Sequence, residues 1–135
     1  MRSAIPLIMA VLLWWGAPSG TASAFKEGDV HKLQTTRNCV RCDLGDAALT
    51  GMDLSRARLS GACLRGADLS DANLSRANLS AAHLVGARLS HANLWRASLI
   101  GSRMSHTNLA GARLAGAIWT DGSRCGQRSV GACKK

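Results

Sequence analysis

The chain has 135 residues and carries 17 Lys plus Arg against 8 Asp plus Glu, a net charge of +9. That length suits one domain, and a composition 47% hydrophobic and 19% charged is neither disordered nor fibrous. Tyr is absent and there is one Phe, so a core has to be filled by Leu and Ala.

Residues 1–24 read as a secretory signal. Arg2 supplies the positive start, Ala4 to Trp15 form an apolar run interrupted only by Pro6, and Gly16, Pro18, Ser19 and Gly20 then break any helix. Ala22-Ser23-Ala24 is a small-residue cleavage site, so the mature chain is expected to begin at Phe25. Losing Arg2 leaves a mature charge of +8. No stretch approaches the ~20 apolar residues of a helical membrane span, so no transmembrane segment is expected in the mature chain. In a bacterial host the destination is the periplasm or the extracellular space.

Residues 25–41 form an N-terminal cap. Asp29 is placed to N-cap a short helix through about Thr36, with Val30 and Leu33 on one face.

Residues 42–121 are a repeat. Leu recurs at every fifth position from Leu44 to Leu99; Met104, Leu109, Leu114 and Trp119 continue the register without insertion. Two positions before each of these the residue is small, most often Ala, from Ala47 to Ala117, with Cys42, Met52, Ser102 and Thr107 as exceptions. An α-helix would smear this period round its axis, because five residues turn by about 500°. A flat strand would throw alternate Leu onto opposite faces. A chain that turns a corner once per repeat gathers every Leu on one axis, with the small partner sharing the narrow interior. Asp43, Asp53, Asp68, Asn73, Asn78, Asn93 and Asn108 precede the Leu position, where short polar side chains bond nearby backbone. Gly at 51, 61, 66, 86, 101, 111 and 116 supplies permissive backbone at corners.

Ala67-Asp68-Leu69-Ser70-Asp71, Ala72-Asn73-Leu74-Ser75-Arg76 and Ala77-Asn78-Leu79-Ser80-Ala81 resemble the A-[DN]-L-x-x consensus of pentapeptide-repeat proteins. The resemblance implies an all-β fold, a right-handed quadrilateral β-helix in which four repeats make one coil. Four coils are then expected, in a stack roughly 19 Å tall.

Residues 122–135 are a C-terminal cap and tail. Trp119 plugs the last position, Asp121-Gly122 reads as a turn, and Ser123 to Cys133 as a small closing hairpin. Cys39 and Cys42 lie at one end and Cys125 and Cys133 at the other, too far apart to be bridged end to end. In an oxidising compartment local pairs, Cys125–Cys133 and Cys39–Cys42, are the candidates. Cys39 and Cys42 both fall on inward positions, so buried thiols are the alternative for that pair. The segment from Cys125 to Cys133 also resembles a C-terminal closure of exported family members. Cys63 is left as a free thiol in a column reading Asp43, Cys63, His83, Arg103, without the third ligand a zinc site wants. His91 and His106 read as solvated surface.

Stacking four repeats to a coil places Arg56, Arg76 and Arg96 in one column, with Arg113 and Trp95 on the same side. This strip is the candidate binding site: either solvated arginines or a ladder for anionic envelope components. Residues 42–61 sum to −1 and residues 122–135 to +4, so the C-terminal end is the face for an acidic partner. Some family members bind DNA gyrase by imitating DNA, but a basic, exported chain lacks the acidic surface for that role. Nucleic-acid binding is not expected, because stacking aromatics are nearly absent. No catalytic residue, metal or cofactor is implied, because packed Leu and Ala leave no concave polar site inside. The expectation is a non-catalytic exported scaffold whose partner is a protein or an anionic envelope component.

Overall fold

The computed structural model describes residues 25–135. The signal-like segment 1–24 lies outside the described residues.

The fold follows from one repeated step. In each step the Leu carbonyl accepts a hydrogen bond from the N–H of the next small residue, as in Ala47 N–H to Leu44 O at 3.1 Å and Ala57 N–H to Leu54 O at 3.0 Å. The second residue after each core position has positive φ at every corner from Arg41 (58°) to Gly116 (70°). A type II turn requires that conformation at its third residue. The turn swings the chain through a corner and leaves Leu and the next small residue facing inward.

Successive coils pair in parallel, each residue with its equivalent four repeats on. One ladder runs Asn38, Arg58, Asn78, Ser98, Ile118, and another runs Asp43, Cys63, His83, Arg103. Four steps therefore close each coil into four sides. Each side is too short for an extended strand and contributes one bridged residue, the one before Leu. Between coils, the Leu N–H donates forward to the bridged residue of the next coil, as from Leu54 to Asn73 O at 2.8 Å. The bridged N–H donates back to the small residue of the coil before, as from Asn73 to Met52 O at 2.9 Å. A stack wound this way satisfies its backbone without long strands.

The interior is as the periodicity predicts. Leu at every position from Leu44 to Leu99, and again Leu114, is fully buried, and the Ala partners from Ala47 to Ala117 are buried with them, whereas Met52 and Thr107 at the same position are half-buried. Burying each Leu is worth about 2 kcal/mol before chain entropy is counted. All seven Asn and Asp residues singled out before Leu accept from the backbone N–H just past that Leu, as in Ser70 N–H to Asp68 Oδ1 at 3.0 Å and Ala110 N–H to Asn108 Oδ1 at 3.0 Å.

The N-terminal helix α1 spans Glu27–Thr36 and starts earlier than the sequence suggests. Lys26, not Asp29, occupies the N-cap position, without a side-chain cap bond. Asp29 instead sits in the first turn and reaches out of the helix, where its Oδ2 accepts from Asp43 N–H at 2.8 Å. Leu33 is buried and Val30 packs against the core beside it.

The C-terminal segment does more than the sequence suggests. Residues 123–133 close locally, through Gly126 N–H to Lys134 O at 2.6 Å and the Cys125–Cys133 disulfide, and also run antiparallel along the last coil, pairing Arg124 with Ile118 and Val130 with Arg113. Tail carbonyls replace those of a missing next coil: Leu114 N–H donates to Ser129 O at 2.9 Å and Gly116 N–H to Cys125 O at 3.0 Å. Both local disulfides are formed, Cys39–Cys42 and Cys125–Cys133, with Cα–Cα distances of 5.1 and 5.0 Å. Cys63 is the free cysteine. No helix among the described residues is long and apolar enough to cross a membrane.

Candidate functional site

The four faces of the stack are sorted by charge. The five carboxylates of the coils, at 43, 46, 53, 68 and 71, fall on the three sides that run from the Asp43 column to the Asp53 column, and none falls on the side of Arg58 and Asn78. The arginine column stands at the corner between the Asp53 side and that carboxylate-free side. Arg56, Arg76 and Arg96 occupy the positive-φ corner position on successive coils, with φ of 59°, 59° and 54°. All three are exposed.

Trp95 organises the upper part of this strip. Its N–H donates to Asn93 Oδ1 at 3.1 Å. Its ring then receives two guanidinium groups, Arg76 Cζ at 5.0 Å and Arg96 Cζ at 4.6 Å from the centroid. Such cation–π contacts hold like charges beside one another without neutralising them. None of these arginines pairs with a carboxylate among the described residues. Gly116 completes the column: a Cβ there would meet Arg96 Cγ at 3.1 Å, so the glycine leaves room for the arginine stem.

Arg113 takes the bridged position above Asp53, Asn73 and Asn93, on the side that leads into the corner of Trp95 and Arg96. It is exposed and extends the basic surface round the edge.

The acidic faces are partly neutralised within the chain. Arg37 Nη2 lies 2.9 Å from Asp53 Oδ2, and Arg37 also reaches Ser55. Hydrogen bonds from Ser55, with the Arg37 guanidinium behind them, hold the Asp53 carboxyl below the usual carboxylate range. Ser70 does the same for Asp68, helped by Arg88 at 3.9 Å. At the C-terminal end Lys135 and Ser123 hold Asp121 well below it.

Cys63 and His83 stack in one column as the spacing predicts, both half-buried. Among the described residues no three His, Cys, Asp or Glu side chains gather to hold a metal ion. His91 and His106 are exposed corner residues. A shallow concavity beside Cys63 escaped the sequence reading. It is lined by Asp46, Cys63, Arg65, Gly66, Val85 and His106. Its signal was present: Gly66 and Gly86 stand one above the other and leave that corner without side chains on two successive coils.

A family model described as pentapeptide repeats matches residues 38–76 and 77–116, with eight copies. No curated protein matches. Among solved structures, HetL of the cyanobacterium Nostoc, a pentapeptide repeat protein involved in heterocyst differentiation regulation, is 35% identical over 64% of this chain, with a TM-score of 0.37. The chain spans about half of it, 51%. A pentapeptide repeat protein of the Arabidopsis thaliana thylakoid lumen is 27% identical over 70% of this chain and 74% of its own, at a TM-score of 0.42. A second Nostoc pentapeptide repeat protein is 30% identical over 72% of this chain and 82% of its own, also at 0.42.

Proposed function

The chain belongs to the pentapeptide-repeat family of right-handed quadrilateral β-helices, and on that premise we propose that it is a non-catalytic, exported scaffold that presents its outer faces to a protein of the cell envelope. About four coils form the rod. Helix α1 caps its first coil, and residues 122–135 cap the last. The observation that carries this reading is the interior: Leu and Ala pack it through the body of the stack, at 0% exposure from Leu54 to Ala67, and what remains for function is the ordered outside. Export is supported by the signal-like residues 1–24 and by disulfides at both ends, which persist in oxidising compartments. The test is affinity capture from envelope extract with the mature chain as bait, followed by mass spectrometry. N-terminal sequencing of the exported form is expected to begin at Phe25. Retention of the whole chain in the cytoplasm overturns the export reading.

A second reading has its own observation. Arg76 and Arg96 converge on Trp95 with no carboxylate partner among the described residues, which suits an anionic envelope component laid along the strip. Salt-sensitive retention on vesicles of anionic lipid, lost in the Arg76→Glu/Arg96→Glu double variant, is its expected result. Retention unchanged by that variant removes the strip as the site.

A further inference from the structure

The C-terminal end of the stack is sealed along only part of its perimeter. Leu114 is fully buried because the tail takes the N–H groups of its side of the coil. Met104 and Leu109, the two core positions before it, are only half-buried although they pack against the core. Their counterparts one coil below are fully paired: Leu84, Gly86 and Leu89 donate to the carbonyls of Arg103, Ser105 and Asn108 at 2.8, 2.9 and 2.7 Å. Among the described residues nothing accepts from the N–H of Met104, His106 or Leu109, and no backbone N–H donates to the carbonyls of Ser102 or Thr107. On the same rung, two residues before Met104, the Ser102 hydroxyl is buried, at 8% exposure for the residue, with no hydrogen-bond partner.

Donors and acceptors alternating above two half-covered apolar side chains are the elements of strand addition, in which backbone bonds supply affinity and alternate side chains supply specificity. Nothing in the sequence from Ser102 to Leu109 blunts the edge with a proline.

Charge identifies the occupant. Residues 25–71 carry seven basic and seven acidic side chains, whereas residues 72–135 carry nine basic and one acidic. That single acid, Asp121, is engaged by Lys135 at 2.8 Å. Arg103 lies within the open edge and Arg113 just past it in sequence, and the tail sealing the adjoining sides adds Arg124 and Arg128. We propose that the edge from Ser102 to Leu109 takes up a short acidic segment of a partner protein, turned round the same corner, as the next rung. Its apolar side chains cover Met104 and Leu109, and its carboxylates face the arginines. A second copy meeting end to end would bring two equally basic surfaces together. A lipid headgroup offers no backbone ladder to match. The proposal rests on the scaffold reading only in taking the partner to be a protein.

The test uses the full chain and a fluorescein-labelled peptide, Ala-Asp-Leu-Ser-Asp-Ala-Asp-Leu-Ser-Asp, read by fluorescence anisotropy. Saturable binding that weakens at least ten-fold between 50 and 300 mM salt is expected, as is a ten-fold or larger loss for the same peptide N-methylated on alternate amides. Leu109→Pro removes an N–H that has no partner in the structure and is expected to cut affinity at least ten-fold, whereas Leu109→Ala, which trims the same side chain but keeps the N–H, is expected to cut it less; the N-methylated peptide decides the matter if the proline variant does not fold. Equal binding of the N-methylated peptide overturns the proposal. So does a dimer in sedimentation that excludes the peptide, or binding to phosphatidylglycerol vesicles without binding to the peptide. Capture of envelope partners unaffected by Leu109→Pro removes the edge and leaves the scaffold reading standing. Peptide binding with no partner captured from extract does the reverse.

Discussion

Every corner from Arg41 to Gly116 needs a left-handed residue, yet nine of these positions, Ala81 among them, hold side chains other than glycine. An L-residue in that conformation costs about 1–2 kcal/mol, whereas glycine there costs only the extra chain entropy of about 0.5–1 kcal/mol. Ala81 is exposed at φ 57° with no role beyond the corner. Ala81→Gly is therefore expected to stabilise the chain by roughly 0.5–1 kcal/mol, measured by urea denaturation. The reverse change at Gly66 is expected to destabilise by ~1–2 kcal/mol or more, because φ is 66° and the new Cβ would strike the Asp46 carboxylate. Asp53, Asp68 and Asp121 make a pH prediction at the same scale. Their folded-state values lie below the ordinary 3.8 of an aspartate, so the unfolded chain binds protons first as pH falls. Their stabilisation is whole at neutral pH and is lost progressively below about pH 4. A melting temperature that these groups leave level from pH 7 to 5 and that falls between pH 4 and 2 is the expected profile. Asp68→Asn should flatten part of the fall.

The two end elements were the least legible in the sequence, and for one reason: each is shaped by what it covers. Helix α1 has no side-chain cap of its own. Its first turn is fixed by the bond from Asp43 N–H to Asp29 Oδ2, a contact with the first coil that local signals do not carry. The tail likewise runs along the last coil because Leu114 and Gly116 have N–H groups to satisfy, a demand that adds pairing with the coil to the closure of the tail on itself. Arg37 shows the same limit, since its pairing with Asp53 depends on where α1 delivers the chain. The Cys125–Cys133 disulfide, by contrast, was legible, because it closes a short loop, whereas the inward positions of Cys39 and Cys42 left buried thiols open until the structure showed them bonded. The Cys125–Cys133 loop is the longer, so its loss removes more loop-closure entropy, on the order of 2–3 kcal/mol against about 2 for Cys39–Cys42. Cys125→Ser/Cys133→Ser is expected to loosen the tail, expose Leu114 and lower stability more than Cys39→Ser/Cys42→Ser does. Calorimetric melting of the two double variants checks the order.

At the scale of the molecule the coil was readable because a single period sets everything: inward Leu, small partner, corner and polar bridge recur in each repeat, and columns recur with every fourth repeat. What the period hides is where the stack stops. Counting repeats places Met104 and Leu109 inside the core like any other position, yet only the next rung makes a position interior, and for these two there is none among the described residues. Stability in a stack of this kind is a sum of neighbouring contacts, so opening is expected to start where a coil has a neighbour on one side only. α1 covers the N-terminal end through buried Leu33, and the tail covers the side holding Leu114. The edge holding Met104, His106 and Leu109 is left as the point of entry. Hydrogen exchange read residue by residue should show those three amides exchanging near the rate of an unstructured chain. Leu84, Gly86 and Leu89, one coil below, should be slower by several orders of magnitude, and the slowest amides should belong to the middle coils. Saturating the edge with the acidic peptide should slow the Met104, His106 and Leu109 amides together. Equal protection of Leu109 and Leu89 in the free chain would mean that the last coil is already covered.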